Sequence, residues 1–408
     1  MLSNKPQHIA LIVPGGVDRS GSERVIPALL ALIEQLARRY RVTVVALAPE
    51  PAPCSYMLCG ARVICLGTAR GSHGLLTQLA RLLGALRPDP PDIIHAFWLG
   101  ATSTLALLAG RAFSAPVVAS LGGGELVRLP AIGYGGRQGP RSQLHTELAL
   151  RLAQSLTAGS RYALAPLARR RPDARWVPLG AASISSTVSG LSGLSSKPQL
   201  PAPDAPPPLN PFNPLTIDQP LAAARLIHIA SLNRVKDQPT LLRAVALAAT
   251  QLGHKNLVLD IVGEDTLGGA MQRLADELGL GEVARFHGFL PNATVRAMLA
   301  SADLHLISSR HESQCVALVE AAMAGVPTVG TAVGLLAELA PAAAWAAPVG
   351  DAQALAEGIV ALLSDPARRR ALGSTVQRWA SAHDAAWTAA QFTEIYEEAW
   401  YNRQRNAR

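Results

Sequence analysis

The chain has 408 residues, of which 49% are apolar, and its formal net charge is +8. This length exceeds what one hydrophobic core usually serves, so we expect two domains. The most apolar stretch, residues 93–113, is interrupted by His95 and Arg111, so no segment is typical of a membrane span. Only five apolar residues, 9–13, precede Pro14, which is too few for a signal-peptide core. We therefore expect a soluble, cytoplasmic protein.

The cysteines do not form a recognisable framework. No two of the four cysteines form a CxxC motif; they are Cys54, Cys59, Cys65 and Cys315. Four cysteines in so long a chain indicate reduced thiols rather than disulfides, and they do not suggest a zinc site. The sequence therefore predicts neither a metal nor a cofactor.

Positive charge is concentrated in the first part of the chain. Residues 1–182 contain 20 Lys+Arg against 9 Asp+Glu, a balance of +11, and the remainder contains 17 against 20, or −3. A basic domain attracts anionic lipid or an acidic substrate, although a solvated Arg-rich surface explains the charge equally well. Aromatic residues make up only 4% of the chain, and the basic residues lack aromatic neighbours for base stacking. We do not expect a nucleic-acid partner.

Apolar runs alternate with amphipathic stretches from the start of the chain. Residues 8–13 predict a strand, 14–16 a turn, 25–39 a helix and 42–47 a second strand. The same alternation continues through 92–97, 105–112 and 116–120. This order is typical of a parallel sheet with crossover helices.

Residues 183–220 interrupt the alternation, because they are rich in Ser and then in Pro and have almost no apolar period. We interpret them as a linker between an N-terminal domain, 1–182, and a C-terminal domain, 221–372. The second domain repeats the pattern, with strands at 226–230, 257–262, 285–288, 304–307 and 328–330 and a helix at 239–251. The tail, 373–408, is predicted to be helical and to brace both domains through Trp379, Trp387, Phe392, Tyr396 and Trp400.

The most informative residues follow the predicted strand at 304–307. Ligands of open α/β sheets collect at the carboxyl ends of strands, and here the chain continues through residues 308–312 to Glu320. Glu320 lies among small apolar residues, where an unpaired carboxylate is costly to bury. A ribose diol offers it two hydrogen-bond donors. Considered alone, Glu320 fits the solvent side of an Ala-rich helix equally well.

The whole stretch resembles the donor-site signature of the retaining glycosyltransferases called family four, which have the GT-B fold of two Rossmann-like domains facing a cleft. In that signature two glutamates are separated by seven residues and followed by small residues, a proline and an apolar run. The matching residues are Glu312, Glu320, Ala321, Gly325, Pro327 and Val329. The resemblance extends through 261–265, 286–291, Gly334 and Glu338, and more loosely to 15–23 and 92–96.

The resemblance implies a nucleotide-diphosphate sugar as donor and a sugar, lipid-linked or other acceptor. It implies that Glu320 holds the ribose, that Glu312 reaches the transferred sugar, and that Lys236 meets the diphosphate with Arg234 beside it. A cation there would stabilise the charge that develops on the leaving group. Further donor-site residues implied are Gly263, Phe289, Leu290, Ser313, Gln314, Cys315 and Val316. Turns implied near the acceptor or the phosphates contain Gly15, Gly16, Gly122, Glu125 and His95, although a lone His beside Phe97 also fits a packing role.

Three positions depart from the family pattern. Ser231 stands where relatives commonly carry Arg, residues 313–315 replace a Gly-Phe-Gly run, and Gly122 follows a strand after which many relatives place a His. Three hypotheses therefore remain open. They are a retaining, metal-independent transferase of envelope or other glycans, a nucleotide-sugar-binding protein without catalysis, and a sugar-nucleotide epimerase on the same scaffold.

A cluster of arginines is the candidate contact for an anionic membrane surface or a phosphorylated acceptor. It comprises Arg169, Arg170 and Arg171, with Arg161 and Arg175 nearby. This contact would place the protein at the inner face of the membrane.

Overall fold

A computed structural model describes residues 5–47, 50–68, 74–137, 139–182 and 223–406. These residues form two α/β domains, each built on a largely parallel sheet, as the sequence predicts. The linker expected at 183–220 lies outside the described residues.

In the part of the N-terminal domain that the structure describes, there are eight strands and five helices. The strands are β1 His8–Val13, β2 Arg41–Ala46, β3 Cys54–Leu58, β4 Ala61–Cys65, β5 Ile93–Phe97, β6 Val117–Leu121, β7 Ser155–Ala158 and β8 Arg175–Trp176. The helices are α1 Pro27–Ala37, α2 Gly74–Leu86, α3 Ala101–Phe113, α4 Pro140–Leu152 and α5 Arg161–Ala168. The sheet order is β3-β4-β2-β1-β5-β6-β7-β8, and only β3 is antiparallel among these strands. Strands β1, β5 and β6 are buried throughout because helices cover both faces of the sheet.

The C-terminal domain contains a fully parallel sheet in the order β11-β10-β9-β12-β13-β14. Its strands are β9 Ala224–Ile229, β10 Leu257–Val262, β11 Ala284–Gly288, β12 Leu304–Ile307, β13 Thr328–Thr331 and β14 Trp345–Ala347. The helices that follow β9 are α6 Gln238–Leu252, α7 Ala270–Glu277, α8 Asn292–Ala300, α9 Val316–Met323, α10 Leu336–Leu339, α11 Ala352–Ser364, α12 Pro366–Ala382 and α13 Ala385–Asn406.

The two C-terminal helices belong to different domains. Helix α12 packs against α9, with Val376 and Ala380 in the core of the C-terminal domain. Helix α13 packs against α1, and Phe392, Ile395 and Tyr396 are buried in the N-terminal core. The helical tail thus contacts both domains, as expected, but the boundary predicted at 372/373 falls inside α12.

Two helical layers enclose the N-terminal sheet. Helices α1 and α13 cover one face, and α2 to α5 cover the other. The β3–β4 hairpin was not predicted from the sequence, since its strands are short and half exposed. All four cysteines carry free thiols, but only Cys65 is fully buried. None of the helices in the described ranges is long and apolar enough to cross a membrane.

The predicted basic cluster is largely neutralised by neighbouring acids. Arg170 pairs with Glu147, Arg171 with Asp173 and Arg175 with Glu398. Arg161 lies over the ring of Trp176, 4.9 Å from its centroid. Because four of its five guanidinium groups already have partners, this cluster does not present the concentrated charge that its sequence suggests.

Candidate active site between the domains

A cavity of about 430 Å³ lies between the two domains, at the carboxyl ends of their strands. This volume is within the range usual for small-molecule sites. From the N-terminal domain it is lined by Val25, Ile26, Pro27, Phe97, Trp98, Ser120, Leu121, Gly122, Gly159 and Leu179, among others. From the C-terminal domain it is lined by residues 228–231, Lys236, Ser309, Glu312 to Ala317 and Glu320, together with Ile307. The predicted donor site therefore largely converges on one cavity.

Lys236 and Glu312 form an ion pair at the floor of this cavity. Lys236 Nζ lies 2.5 Å from Glu312 Oε1, and Ser309 Oγ donates to the same oxygen at 2.6 Å. Burial by itself lowers the pKa of Lys236, but the Glu312 carboxylate, with smaller contributions from Cys315 and Tyr134, outweighs burial, so the pKa lies above its ordinary value. The ammonium group therefore stays charged in the cavity.

Hydrogen bonds hold the loop of Lys236 against the segment that carries Glu312. Ser308 Oγ donates to Lys236 O at 2.7 Å, and Arg310 N donates to Val235 O at 2.7 Å. Ser231 lines the cavity from the same loop. Arg234, by contrast, is exposed and does not line the cavity, so the structure does not support its predicted place beside Lys236.

Glu320 projects into the cavity from α9 rather than towards open solvent. No group in the described residues donates a hydrogen bond to its carboxylate, and burial raises its pKa to about 7. It also borders a second cavity, of about 320 Å³, with Arg296 on the far side. A half-buried carboxylate without a protein donor is suited to a ligand that supplies hydroxyl groups.

Two predicted sugar-site residues also connect the domains. Ser313 Oγ donates to Gly122 O at 2.8 Å, and Ser160 Oγ donates to the backbone oxygen of Ser313. Gln314 forms two hydrogen bonds with the backbone of Leu179. These contacts hold the cleft closed and limit what the polar groups of Ser313 and Gln314 can offer a sugar.

Glu338 forms a further contact across the cleft. Its Oε1 accepts hydrogen bonds from the backbone amides of Arg161 and Tyr162 at the start of α5. A carboxylate at a helix N-terminus is favourable because the first-turn amides lack partners within the helix. The closed arrangement is therefore specific, with several polar groups paired across the boundary.

Glu125 has a structural position that the sequence did not indicate. Its carboxylate is buried and accepts hydrogen bonds from the backbone amides of Leu99, Gly122 and Gly123. Burial raises the pKa of Glu125, while those backbone bonds oppose the shift. Its carboxylate thus shapes the loop after β6, and only Gly122 of that loop lines the main cavity.

His95 is likewise a core residue. It is fully buried, with Nδ1 2.7 Å from the Tyr396 hydroxyl and Nε2 2.8 Å from Ser120 Oγ. Its ring stacks on Phe97, and burial lowers its pKa to about 3. The packing interpretation is therefore the correct one, and the predicted role at the acceptor is not supported.

The remaining predicted glycines and apolar residues lie around the cavity rather than in it. Gly263 packs against the backbone of Ala230, where a Cβ atom would lie 2.1 Å from the carbonyl oxygen. Gly16, at φ +82°, leaves room for Ile26, and neither Gly15 nor Gly16 lines the cavity. Phe289 is 49% exposed and Leu290 packs in a core cluster, so neither lines either cavity.

Two neighbours of the ion pair, Tyr134 and His311, had no role predicted for them from the sequence. Tyr134 lies near Glu312; burial and that carboxylate raise the pKa of Tyr134. Its ring centroid is 6.1 Å from that of His311, whose Nε2 is buried without a partner among the described residues. Tyr134 lies in an irregular loop with no periodic pattern, so no sequence signal placed it here. No group of three or more His, Cys, Asp or Glu residues in the described ranges could hold a metal ion.

Comparisons with known proteins match both domains to glycosyl transferase families. The model of the family described as Glycosyl transferases group 1 matches residues 219–379, and that of the Glycosyl transferase 4-like domain matches 25–180. The D-inositol 3-phosphate glycosyltransferase of Corynebacterium urealyticum is 29% identical over 184 residues, and the N-acetyl-alpha-D-glucosaminyl L-malate synthase of Bacillus anthracis is 28% identical over 179. These matches cover 43% of this chain and span 43% and 45% of those relatives.

Solved structures share the whole fold. A crystal structure of Anabaena HepE in complex with UDP and glucose has a TM-score of 0.68 and 18% identity, covering 96% of this chain and 100% of that chain. At this identity the likeness concerns the fold. The two family models together cover both domains, and the chain therefore belongs to glycosyltransferase family four, the group 1 glycosyl transferases, and has the GT-B fold.

Proposed function

We propose that the chain is a glycosyltransferase that takes a sugar from a nucleotide-diphosphate sugar bound in the cleft. The observation that carries this proposal is the pairing of a charged Lys236 with Glu312 in the same cavity as Glu320. All three residues lie on the C-terminal domain. The Lys236 ammonium group would bind the diphosphate, the Glu312 carboxylate the sugar and the Glu320 carboxylate the ribose.

The diphosphate has two sources of stabilisation in this cavity. Lys236 supplies a fixed positive charge. Val316 and Ala317, in the first turn of α9, line the same cavity, and the amide groups of a helix N-terminus favour an anion. Because negative charge grows on the leaving diphosphate, groups fixed in this way stabilise the transition state more than the bound donor.

Glu320 and Glu312 would bind the neutral parts of the donor. The Glu320 carboxylate can accept from both hydroxyls of a ribose. Glu312 uses Oε1 for Lys236 and Ser309, which leaves Oε2 for a hydroxyl of the transferred sugar. We further propose a retaining, metal-independent reaction with Lys236 serving as the cation. The bond between the sugar's anomeric carbon and the diphosphate breaks, the acceptor oxygen forms its bond to that carbon on the same face, and the hydroxyl proton passes to the departing diphosphate.

The acceptor would enter from the N-terminal side, where Trp98, Gly122 and Gly159 line the cavity. A sugar or a lipid-linked or cell-envelope glycan is the acceptor class we propose. The family matches favour transfer over the epimerase hypothesis. A measurement of turnover distinguishes a transferase from a binding protein without catalysis.

The donor is identified by thermal unfolding in the presence of UDP, GDP and ADP sugars. A ligand that binds only the folded state raises the unfolding temperature by mass action. We expect one nucleotide series to stabilise the wild type and to stabilise the Glu320→Gln variant less. If no nucleotide sugar stabilises the wild type, the proposed function is wrong.

A further inference from the structure

The outer face of the α2–α5 layer combines exposed leucines with arginines. On α3 and α4 the large exposed apolar side chains are Leu108, Leu144 and Leu152, which are 42%, 58% and 62% exposed. Arg111, Arg141 and Arg151 are exposed on the same two helices. We call these six residues the α3–α4 face.

These leucines are not displaced core residues. The opposite side of α4 supplies Ala149 and Leu150 to the core, and α3 supplies Leu105 and Ala109. Single exposed leucines are normal on a protein surface, but several on adjacent helices usually indicate a contact. Within the described residues, nothing covers these three leucines.

The two helices present one surface because they are neighbours in register. Thr104 Oγ1 and His145 Nδ1 lie 2.8 Å apart and join α3 to α4. Both helices are crossovers between parallel strands, so they run in the same direction. Leu108 and Arg111 lie one and two turns after Thr104 on α3. On α4, Arg141 and Leu144 lie within about one turn before His145, and Arg151 and Leu152 lie about two turns after it. The six side chains therefore extend along the length of two adjacent helices.

The positive charge of the patch favours a negatively charged partner. Helices α3 and α4 contain one acidic residue, Glu147, and it is neutralised by a 2.5 Å ion pair with Arg170. Among the described residues none of the three arginines of the face forms an ion pair within 4.0 Å, although Arg151 lies close enough to Glu147 to lower the pKa of that carboxyl. Helices that lie in a membrane interface have this composition, with apolar side chains entering the acyl boundary and basic groups contacting anionic headgroups.

We propose that the α3–α4 face docks the protein on an anionic phospholipid bilayer. Helices α3 and α4 follow β5 and β6, whose carboxyl ends contribute Phe97, Trp98 and Gly122 to the cavity. Both helices run back from these carboxyl ends, so Arg141 and Leu144 lie nearer to the cleft, and Arg111 and Arg151 lie towards the opposite edge of the sheet. Docking is independent of the transferase proposal, since it can occur without donor or turnover.

Co-sedimentation with vesicles tests the proposal directly. The full chain is mixed with vesicles of phosphatidylcholine alone and with vesicles that also contain phosphatidylglycerol, at low and at physiological salt. We expect sedimentation with the anionic vesicles that weakens as salt rises, because screening shortens the range of the attraction. Leu144→Ser with Leu152→Ser, and separately Arg141→Ser with Arg151→Ser, should each lower the partition coefficient at least about tenfold.

The C-terminal domain offers a matched control. Arg243 and Leu247 are both exposed, one turn apart on α6. Arg243→Ser with Leu247→Ser should sediment like the wild type, and circular dichroism checks that every variant is folded. The proposal is overturned if the wild type stays in the supernatant with anionic vesicles at low salt, if neutral vesicles bind equally well, or if the α6 variant loses binding as much as the α4 variants. A wild type that dimerises through α4 without binding vesicles would also overturn it.

Discussion

Gln314 and Leu179 exchange two hydrogen bonds across the domain boundary: Gln314 Nε2 donates to Leu179 O at 2.8 Å, and Leu179 N donates to Gln314 Oε1 at 2.9 Å. Gly159 makes this approach possible, because a Cβ atom there would lie 2.3 Å from Gln314 Oε1. Gln314 also lines the cavity. Closure of the cleft and the shape of the donor site thus depend on the same residue.

Gln314→Ala should shift the protein towards open forms. The substitution removes both hydrogen bonds, which together contribute about 1 to 3 kcal/mol to the closed state. Small-angle X-ray scattering should show a larger radius of gyration than for the wild type. Gln353→Ala is the matched control, because Gln353 is bonded to Glu357 within α11 and, among the described residues, to nothing across the domain boundary. Identical scattering from the Gln314 variant and the wild type would contradict this role.

Glu320→Gln should weaken nucleotide binding. An amide has one acceptor oxygen where the carboxylate has two, and a hydrogen bond to a charged group is worth about 1.5 to 3 kcal/mol. Titration calorimetry with the stabilising nucleotide should therefore show a dissociation constant raised about tenfold or more. Because the pKa of Glu320 is raised to about 7, wild-type affinity should also fall as the pH drops below that value. An unchanged affinity in the variant would remove Glu320 from the site.

The same glutamate should make the empty protein less stable at high pH. Burial holds the pKa of Glu320 at about 7, against 4.5 ordinarily, so its contribution to stability is complete below pH 4.5 and is lost as the pH rises through 7. The loss is about 3 kcal/mol at most. Glu320→Gln should therefore have a higher unfolding free energy than the wild type in urea at about pH 8, and a smaller advantage at about pH 5. A variant that is less stable than the wild type at the higher pH would contradict the assignment.

Lys236→Met should lower turnover more than donor affinity. The lost charge is needed most where the leaving diphosphate becomes negative, so we expect kcat to fall about a hundredfold or more. Arg234→Ala provides the comparison, because Arg234 lies in the same loop but outside the cavity, and its effect should be far smaller. Equal effects of the two substitutions would mean that Lys236 acts only through the loop's general charge.

Tyr396→Phe should destabilise the N-terminal domain. It leaves Nδ1 of the buried His95 without its 2.7 Å partner, at a cost of about 1 to 3 kcal/mol. Since burial lowers the pKa of His95 to about 3 from 6.5, stability should fall in wild type and variant as the pH decreases below 6.5. Urea denaturation measures both effects, and Tyr401→Phe on the exposed side of α13 serves as control. A Tyr396 variant as stable as the control would contradict this role of α13.

The parts of the molecule with regular periodicity could be predicted from the sequence. The buried strands β1, β5 and β10 appear as short runs of mainly apolar residues, and the two-domain order follows from their alternation with helices. Glu312 and Glu320 could be proposed as site residues because their spacing resembles a known signature, and Lys236 could be proposed because it follows the first strand of the second domain.

The contacts between distant segments could not be predicted in this way. Glu125 follows a strand, as a ligand-binding residue often does, but its three bonds to backbone amides appear only once the loop is folded. Gln314 and Leu179 are far apart in the chain, and the positions of Tyr134 and α13 depend on tertiary packing. Local pattern carries no information about such pairings.

We propose above that the cleft transfers a sugar with Lys236 and Glu312 as its reactive centre. The most direct test is release of nucleoside diphosphate from the donor that stabilises the protein, measured with wild type, Lys236→Met and Glu312→Gln in the presence of envelope glycolipid extract as the source of acceptor. We predict acceptor-dependent release by the wild type and a loss of about a hundredfold or more in both variants. Tight binding of the donor with no release above that of the variants would contradict the account and would identify the protein as a nucleotide-sugar-binding protein.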